Sequence, residues 1–281
     1  IVWQLYDGKT NQIQCAYKKR GNAWSKPVNL TSSNVEGFGS VAPQIVIDSE
    51  GNVVVMWINE STQTVCMSIK PVNEKWSPEM PLSASVHSIS SAKMGVDSTG
   101  EVTAVWVRND GTNNILQTLT FNPARCLSLP VIRDISLNDQ NAGMPQIAID
   151  QLGNRIVVWQ AFDGVNTTIQ AAIKRVGGKW LAPVTLSALG FDASEPQVKI
   201  DSAGPIVVIW KRSNGSNFVV ESSIKKFGET SWSRPVVLSA IGQDAISPQL
   251  TFSGKGRVVA AWQRSNGANS IVQSTIGLIA K

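Results

Sequence analysis

The sequence predicts an all-β fold, a β-propeller of four-stranded antiparallel blades, and three observations lead to this prediction. A tryptophan that ends a valine-rich run recurs about every fifty residues, which is the repeat length of propeller blades. Tight-turn signals separate the β-rich runs. No segment shows the 3.6-residue period of an amphipathic helix. The recurring tryptophans are Trp3, Trp57, Trp106, Trp159, Trp210 and Trp262.

The first two strands of a repeat are predicted from a Pro-Gln-Ile segment and the valine-rich run that follows it. PQIAID, starting at Pro145, is one such first strand, and its second strand ends at Trp159. An Asp-x-x-Gly turn joins the two strands. Asp favours the first turn position and Gly tolerates positive φ, so this turn predicts a tight hairpin. The turns are Asp48–Gly51, Asp97–Gly100, Asp150–Gly153 and Asp201–Gly204.

The third and fourth strands follow in the same order in each repeat. An Asp-Gly or Asn-Gly turn leads to a third strand such as IQAAIK at Ile169–Lys174. The fourth strand carries Trp-Ser-x-Pro-Val-x-Leu-Ser, which is clearest from Trp24 and Trp232. Variants start at Trp76 and Trp180, and Arg125–Ser136 is a decayed copy.

This pattern predicts one domain over residues 1–281 with six blades, and a five-bladed ring is the alternative. The first unit lacks its innermost strand and the last lacks its outermost strand. An unpaired outer edge at Ile271–Ile276 would accept a strand from another chain or from missing sequence. The repeat units span about 1–42, 43–91, 92–144, 145–195, 196–247 and 248–281.

The repeat P-Q-I-x-I-D-x-x-G-N-x-V-V-V-W, followed by G-x-W-S-x-P-V-x-L-S, resembles the bacterial sialidase-like propeller repeats. The D-x-x-G-N-V piece also resembles the strand–turn–strand of NHL repeats. The sialidase Asp-box, S-x-D-x-G-x-x-W, is matched by turns at Lys18–Trp24, Lys174–Trp180 and Lys225–Trp232 that keep glycine and tryptophan without the serine and aspartate. The resemblance implies a propeller architecture, whereas the absence of an Arg-Ile-Pro segment argues against sialidase activity.

Composition limits the class of partner. Hydrophobic residues make up 42% of the 281 residues and charged residues 16%, which predicts a soluble chain with a sizeable core. The net charge of +5 is spread along the chain, so no nucleic-acid partner is predicted, and no apolar run is long enough for membrane insertion. The chain starts at Ile1, in a predicted strand, without a signal peptide. We expect a mature or trimmed part of a larger bacterial protein in an extracellular, periplasmic or cell-surface location. Oligomeric state stays open.

Metal and cofactor sites are not predicted. The single histidine, His87, lies in a loop and is interpreted as a surface residue. Cys15, Cys66 and Cys126 lack metal-ligand spacing and are interpreted as buried free thiols, with Cys15 and Cys66 on opposite faces of their strands.

Carboxylates in the loops that join blades are the candidate catalytic groups. Asp192 and Asp244 each lie four residues before a first-strand proline. Glu36 and Tyr6 belong to loops on the same predicted side. A carboxylate pair on this side would allow glycosidase chemistry. The alternative is that the aspartates cap turns by accepting hydrogen bonds from backbone N–H groups.

The candidate ligand-binding residues lie on the same predicted side of the blades. Arg108, Arg212 and Arg264 each follow a strand-two tryptophan by two residues. Together with Asn141, Asp192 and Asp244 they would form a mixed polar surface for a glycan or an acidic protein segment, and solvated surface charge is the alternative. The ten tryptophans are interpreted as core packing between blades, with sugar stacking as the alternative.

The function predicted from sequence is a non-catalytic binding or scaffold propeller that recognises a protein segment or a glycan through these loops. A glycan-acting hydrolase that uses Asp192, Asp244 or Glu36 is the alternative, and enzymatic activity is not favoured. A third hypothesis is an architectural spacer of a larger surface protein.

Overall fold

The computed structural model describes residues 1–31, 38–84, 88–125, 131–201, 204–226, 228–253 and 256–278. They form two compact units, Ile1–Asp134 and Ile135–Lys281, each with three antiparallel sheets. Organisation as one domain stays a prediction.

Unit 1, Ile1–Asp134, contains blades 1 to 3. Blade 1 has β1 (Val2–Tyr6), β2 (Asn11–Cys15) and β3 (Val28–Asn29). Blade 2 has β4 (Ser40–Ile47), β5 (Val53–Asn59), β6 (Thr64–Lys70) and β7 (Met80–Pro81). Blade 3 has β8 (Ser88–Val96), β9 (Val102–Asn109), β10 (Asn114–Phe121) and β11 (Arg133–Asp134), with a short 3-10 helix at Pro123–Arg125.

Unit 2, Ile135–Lys281, contains blades 4 to 6. Blade 4 has β12 (Asn141–Ile149), β13 (Arg155–Phe162), β14 (Thr167–Lys174) and β15 (Val184–Thr185). Blade 5 has β16 (Ala193–Ile200), β17 (Ile206–Ser213), β18 (Phe218–Lys225) and β19 (Val236–Val237). Blade 6 has β20 (Ala245–Phe252), β21 (Arg257–Ser265) and β22 (Ser270–Leu278).

The predicted fold class, an all-β propeller of six antiparallel blades, is confirmed. Four of the six sheets have four strands, in the order first to fourth. The first and last sheets have three strands within the described residues, because blade 1 has no innermost strand and blade 6 has no outermost strand there. These are the two strands for which the sequence has no matching segment.

The Asp-x-x-Gly turns are built as the sequence predicts. In blade 2, Gly51 N donates to Asp48 O over 3.2 Å, and Asp48 Oδ1 accepts from the N–H groups of Glu50 and Asn52. Gly51 has a φ of 94°, a conformation that a side chain would disfavour. The aspartate and the glycine therefore fix this end of each hairpin.

The fourth strands are much shorter than the tryptophan motif suggested. Each has two residues, and in the four blades that keep the tryptophan it lies ahead of the strand. In blade 5, Ser233 N pairs with Ile224 O before Pro235, and Leu238 N pairs with Val220 O after it. Proline has no N–H to donate, so it limits the regular ladder between these two bonds.

A bulge in the first strand recurs in five blades and was not predicted. The pairing of the first and second strands shifts register at this point, for example between Ser194 and Gln197 in blade 5. One non-glycine residue at each bulge has a φ between 47° and 55°. The five residues are Ala42, Ser91, Met144, Glu195 and Ser247. The bulge re-aims the strand at the end where the blade-joining loop enters.

Four strand-two tryptophans, Trp57, Trp106, Trp210 and Trp262, pack between consecutive blades of their unit, as predicted. Trp106 packs in unit 1 against Met56 and Val65 of blade 2. Trp262 packs in unit 2 against Ile209 and Val220 of blade 5. The core-packing interpretation is wrong for Trp24, which is 52% exposed, whereas Trp76, Trp180 and Trp232 at the same position of other blades are half-buried.

The two described cysteines are buried free thiols, as predicted. Cys15 and Cys66 lie in one core cluster with Trp57, because facing surfaces of blades 1 and 2 bring them together. Burial raises the pKa of Cys15 to about 11 and the pKa of Cys66 to about 12. Cys126 lies outside the described residues. Within the part of the chain that is described, no helix has the length and apolar character needed to cross a membrane.

Candidate functional site

Asp192 and Asp244 lie in the loops that lead into the first strands of blades 5 and 6. Asp192 Oδ1 accepts a hydrogen bond from Thr167 N of blade 4 over 2.7 Å, and Asp244 Oδ1 accepts one from Phe218 N of blade 5 over 2.8 Å. Each aspartate thus accepts a backbone hydrogen bond, as the capping alternative expects, but from the third strand of the preceding blade and not from a nearby turn. Their catalytic or ligand-binding role stays a prediction.

Glu195 is the point at which three consecutive blades of unit 2 meet. It occupies the bulge of β16, and its backbone N–H donates to Gln160 Oε1 of blade 4 over 3.2 Å. Its Oε1 accepts from Lys211 Nζ of blade 5, and its Oε2 accepts from Ser247 N of blade 6 over 2.8 Å. These contacts hold the carboxylate in one place although its side chain is 28% exposed.

An aromatic ring completes this cluster. Lys211 Nζ lies 4.9 Å from the centroid of the Phe218 ring, within cation–π range, and Phe218 is 37% exposed. We name Gln160, Glu195, Lys211, Phe218 and Ser247 the Glu195 site. It offers a fixed carboxylate, an ammonium group, an amide and an aromatic ring to solvent at the loop end of unit 2.

Arg212 belongs to a second charged cluster, on the other side of β17 from Lys211, because adjacent strand residues point to opposite faces. Its Nη1 donates to Glu221 Oε1 over 3.1 Å. Glu221 is 4% exposed, and its other carboxylate oxygen accepts from Trp210 Nε1 over 3.2 Å. The Arg212 guanidinium also lies 5.4 Å from the centroid of the Phe191 ring. The positive charge of this arginine is therefore compensated within the blade.

Arg108 occupies the matching place in blade 3 with a different partner set. It lines a cavity of about 350 Å³ together with Ala84, Gln117, Ile132 and Asp134. Gln117 accepts from Trp106 Nε1 over 3.2 Å and donates to Asp134 Oδ1 over 2.7 Å. This cavity leaves room for a polar ligand beside the guanidinium, and ligand binding by Arg108 stays a prediction.

The other candidates are dispersed. Arg264 is half-buried and pairs along the strands with Ala245, next to Asp244. Asn141 is half-buried at the start of β12. Tyr6, in unit 1, is 64% exposed and donates its hydroxyl hydrogen to Gly8 O. Glu36 and His87 lie outside the described residues, so their predicted roles stay untested.

Unit 1 contains a groove of about 690 Å³ beside the outer strands of blades 1 and 2. Trp76 and Tyr17 contribute aromatic rings to it, and Lys70 lies 5.2 Å from the centroid of the Tyr17 ring. The buried Trp76 Nε1 has no hydrogen-bond partner in the described part of the chain. The rings of Trp76 and Tyr17 in this groove, like the exposed ring of Trp24, keep a structural basis for the sugar-stacking interpretation.

Sequence reasoning missed the Glu195 site, although a signal for it is present. The residue before the first-strand proline is Ala42, Met144, Glu195 or Ser247, and only one of these is charged. Lys211 likewise follows its tryptophan directly, where Gln160 and Gln263 stand in the neighbouring repeats. Glu195 and Lys211 are charged where the other repeats have uncharged residues, and this difference was the signal available in the sequence. No group of three or more His, Cys, Asp or Glu residues suited to a metal ion occurs among the described residues.

Comparisons with known proteins identify the fold without a family. No protein-family model and no curated protein matches the chain. Among solved structures, a polysaccharide lyase of family PL25, an ulvan lyase, matches with a TM-score of 0.62 and 10% identity over 95% of this chain and 71% of the lyase. The GH93 α-L-arabinofuranosidase of Fusarium graminearum in complex with arabinobiose has a TM-score of 0.54 and 13% identity over 99% of this chain and 88% of the enzyme.

A protein of unknown function from Dyadobacter fermentans DSM 18053 has a TM-score of 0.57 and 10% identity over 82% of this chain and 76% of its own. At such identities the likenesses show the fold alone. The named neighbours are glycan-acting enzymes, whereas the sialidase-like character of the repeats stays a prediction.

Proposed function

We propose that this protein acts on glycans at the Glu195 site. One observation carries the proposal: Lys211 of blade 5 and Ser247 of blade 6 hold a single partly exposed carboxylate in place, and Gln160 of blade 4 holds the backbone N–H of the same residue. A charged group positioned this firmly is typical of a site that must keep its geometry when a ligand arrives.

The chemistry of the site suits a sugar. Carboxylate oxygens accept hydrogen bonds from hydroxyl groups, and the Gln160 amide and the Lys211 ammonium supply donors. Phe218 offers an aromatic surface for the apolar face of a sugar ring. The ulvan lyase and the arabinofuranosidase support the same ligand class, and another solved structure has that type of lyase bound to -[GlcA(1-4)Rha3S]-.

The neighbours favour glycan cleavage over the non-catalytic binding that the sequence suggested. In such chemistry Glu195 would serve as the base or as the group that stabilises developing positive charge. A general acid would have to come from another group, and Asp192 and Asp244 are the candidates in the same unit.

Non-catalytic glycan binding is the second candidate function. It is favoured by the ion pair itself, since Lys211 compensates the charge that a catalytic carboxylate would use. Within the Glu195 site, no contact among the described residues favours a protein segment over a glycan. Export to an extracellular, periplasmic or surface location would give the site access to polymeric glycans, and cell fractionation with an antibody tests this.

The test is a panel of arabinan, ulvan and sialylated glycans incubated with the pure protein. Reducing ends report hydrolysis, ultraviolet absorbance of unsaturated products reports elimination, and calorimetry reports binding. We expect Glu195→Gln to abolish turnover. Glu229→Gln, which makes the same charge change at an exposed residue of blade 5, should keep it.

Each outcome has a distinct meaning. Binding without turnover, lost in Glu195→Gln and Lys211→Met, would establish the second candidate in place of the first. Turnover that survives Glu195→Gln would move the catalytic assignment to Asp192 or Asp244. Absence of both binding and turnover across the panel would overturn the proposed function.

A further inference from the structure

The cavity beside Arg108 in unit 1 is lined by one positive and one negative side chain. Its volume is about 350 Å³, and Arg108 and Asp134 both line it. In the described part of the chain, Arg108 Nε is buried without a hydrogen-bond partner, and no ion pair joins Arg108 to Asp134. Pockets that hold small molecules have volumes of about 300–1,000 Å³, so this cavity has room for one small ligand.

Blade 5 shows how a partner for this arginine is normally placed. There Arg212 Nη1 donates to Glu221 Oε1 over 3.1 Å. Along the strands Glu221 pairs with Trp210 on one side and with Val237 on the other. The acid that compensates the arginine is therefore on the third strand, within direct reach of the guanidinium.

In blade 3 the acid lies one strand further out. Gln117 pairs with Trp106 and with Asp134, so Gln117 stands at the position of Glu221 and Asp134 at that of Val237. Gln117 Nε2 donates to Asp134 Oδ1 over 2.7 Å. Neighbouring strands are about 4.8 Å apart, so the second and fourth strands of this blade are about 10 Å apart. The two opposite charges therefore come from strands on opposite sides of Gln117.

A second acid near Arg108 serves a different purpose. Asp110 is exposed, and its Oδ1 accepts from Thr112 N over 2.8 Å and from Asn113 N over 2.7 Å. It holds the turn between the second and third strands and is not part of the cavity lining. Asp134 is consequently the carboxylate that a ligand in the cavity would meet.

The charges of the lining decide which class of ligand fits. A simple anion would gain a charge-assisted hydrogen bond at Arg108 and would be repelled by Asp134, and a simple cation would meet the reverse. A zwitterion gains at both groups, because each of its charges can face the opposite charge of the protein. Ala84 and Ile132 line the same cavity and offer apolar surface to a short aliphatic side chain.

We propose that the cavity beside Arg108 binds a free amino acid with an aliphatic side chain. The Arg108 guanidinium would donate to the ligand carboxylate, and Asp134 would accept from the ligand ammonium group. Gln117 would orient Asp134 through its amide. This inference does not depend on the proposed glycan activity, because no residue of the Glu195 site takes part.

The test is a calorimetric titration of the full chain with leucine and with two blocked forms of leucine, at low ionic strength. N-acetyl-leucine keeps the carboxylate but has no ammonium group, and leucinamide keeps the ammonium group but has no carboxylate. We expect saturable binding of leucine and at least about tenfold weaker binding of each blocked form. Glucuronate, which carries a carboxylate and hydroxyl groups, should also bind at least about tenfold more weakly.

Variants of the protein assign the binding to this cavity. Arg108→Gln should weaken leucine binding at least about tenfold. Arg133→Gln makes the same charge change at an exposed residue beside Asp134 and should leave the affinity within about twofold of the parent. Gln117→Glu gives Arg108 a carboxylate within the blade, so it should also weaken leucine binding at least about tenfold. Circular dichroism checks that each variant is folded.

The outcomes separate the proposal from its alternatives. Absence of saturable leucine binding, or equal binding by a folded Arg108→Gln variant, would overturn it. Equal binding of leucine and N-acetyl-leucine would also overturn it, because the site would then recognise a carboxylate alone. Tighter binding of glucuronate than of leucine would overturn it in favour of a sugar acid. Leucine binding that needs Arg108 and both charges of the ligand would establish it.

Discussion

Blades 3 and 5 place an arginine at the same point of the repeat and surround it differently. In blade 5, Arg212 is bonded to the buried carboxylate of Glu221. In blade 3, Gln117 stands where Glu221 would be, and Arg108 lines a cavity of about 350 Å³. Blade 5, with glutamate at this position, has a closed ion pair, whereas blade 3, with glutamine there, has an open polar cavity beside its arginine.

This comparison teaches that the repeat fixes positions, whereas individual departures from it supply chemistry. Trp106 and Trp210 donate their indole N–H to Gln117 and Glu221 in the same way. The tryptophan contact is therefore common to blades 3 and 5, whereas the charge beside it differs between them. Among the described residues, the buried indole N–H groups of Trp57, Trp159 and Trp262 have no hydrogen-bond partner.

The largest effect is expected from removal of the buried carboxylate. Glu221→Leu leaves the guanidinium of Arg212 without its compensating charge, which should lower the free energy of unfolding by about 3–5 kcal/mol. Gln117→Leu in blade 3 removes neutral hydrogen bonds and should cost about 1–2 kcal/mol. Urea unfolding of both variants measures the difference, and equal losses would contradict the ion-pair interpretation.

Replacement of Arg212 or Arg108 by methionine should lower the free energy of unfolding by different amounts. Arg212→Met leaves Glu221 buried without its partner and should cost about 3 kcal/mol, whereas Arg108→Met should cost about 1 kcal/mol or less. The double variant Arg212→Met with Glu221→Leu should recover most of the loss. A double variant no more stable than either single variant would show that packing, not charge, dominates this place.

Gln117→Glu, which gives blade 3 the glutamate that blade 5 has, should change the free energy of unfolding by about 1 kcal/mol. Gln117→Glu gives Arg108 a carboxylate partner but also places a negative charge beside Asp134, to which Gln117 now donates. We expect the free energy of unfolding to fall by about 1 kcal/mol, and we expect the additional substitution Asp134→Asn to restore it. A thermodynamic cycle of the two substitutions measures this coupling, and additive effects would argue against direct contact.

The smallest effect concerns pH and the turns of the same two blades. Asp110 accepts hydrogen bonds from the N–H groups of Asn113 and Thr112, which lower its pKa. A lowered pKa contributes stability above the unfolded value of about 3.9, and this contribution is lost as the pH falls through the folded value. Blade 5 has Asn214 at this place, with the same pattern of backbone bonds and no titration.

Asp110→Asn should therefore keep the turn and flatten the acid limb of the stability curve slightly. Urea unfolding at a series of pH values below about 5 measures this change. An unchanged acid limb would mean that other carboxylates govern the loss of stability.

The sequence predicted the blades because the periodic signals are local. The tryptophan spacing, the Asp-x-x-Gly turns and the two incomplete blades all follow from residues close in the chain. The brevity of the fourth strands was missed, because proline limits the ladder at a distance from the tryptophan that marks it. The repeat pattern carried no signal for the exposure of Trp24, since the tryptophans at the same position of other blades are half-buried.

The Glu195 site was missed for a different reason. Its partners Gln160, Lys211 and Ser247 come from three blades, and only the fold brings them to one residue, Lys211 and Ser247 to its carboxylate and Gln160 to its backbone N–H. Asp192 and Asp244 were easier to find because they repeat, yet repetition is what a turn cap requires. Glu221 could have been flagged as a charge inside an otherwise apolar strand.

The first-strand bulge, with one residue in the left-handed backbone conformation, would let the side chain at that position be varied without a change in the fold. The register shift, and not the side chain, determines the backbone at these positions, since alanine, serine, methionine and glutamate all adopt it. A combinatorial library at the bulge positions would therefore vary ligand preference over a constant framework. The positions are Ala42, Ser91, Met144, Glu195 and Ser247.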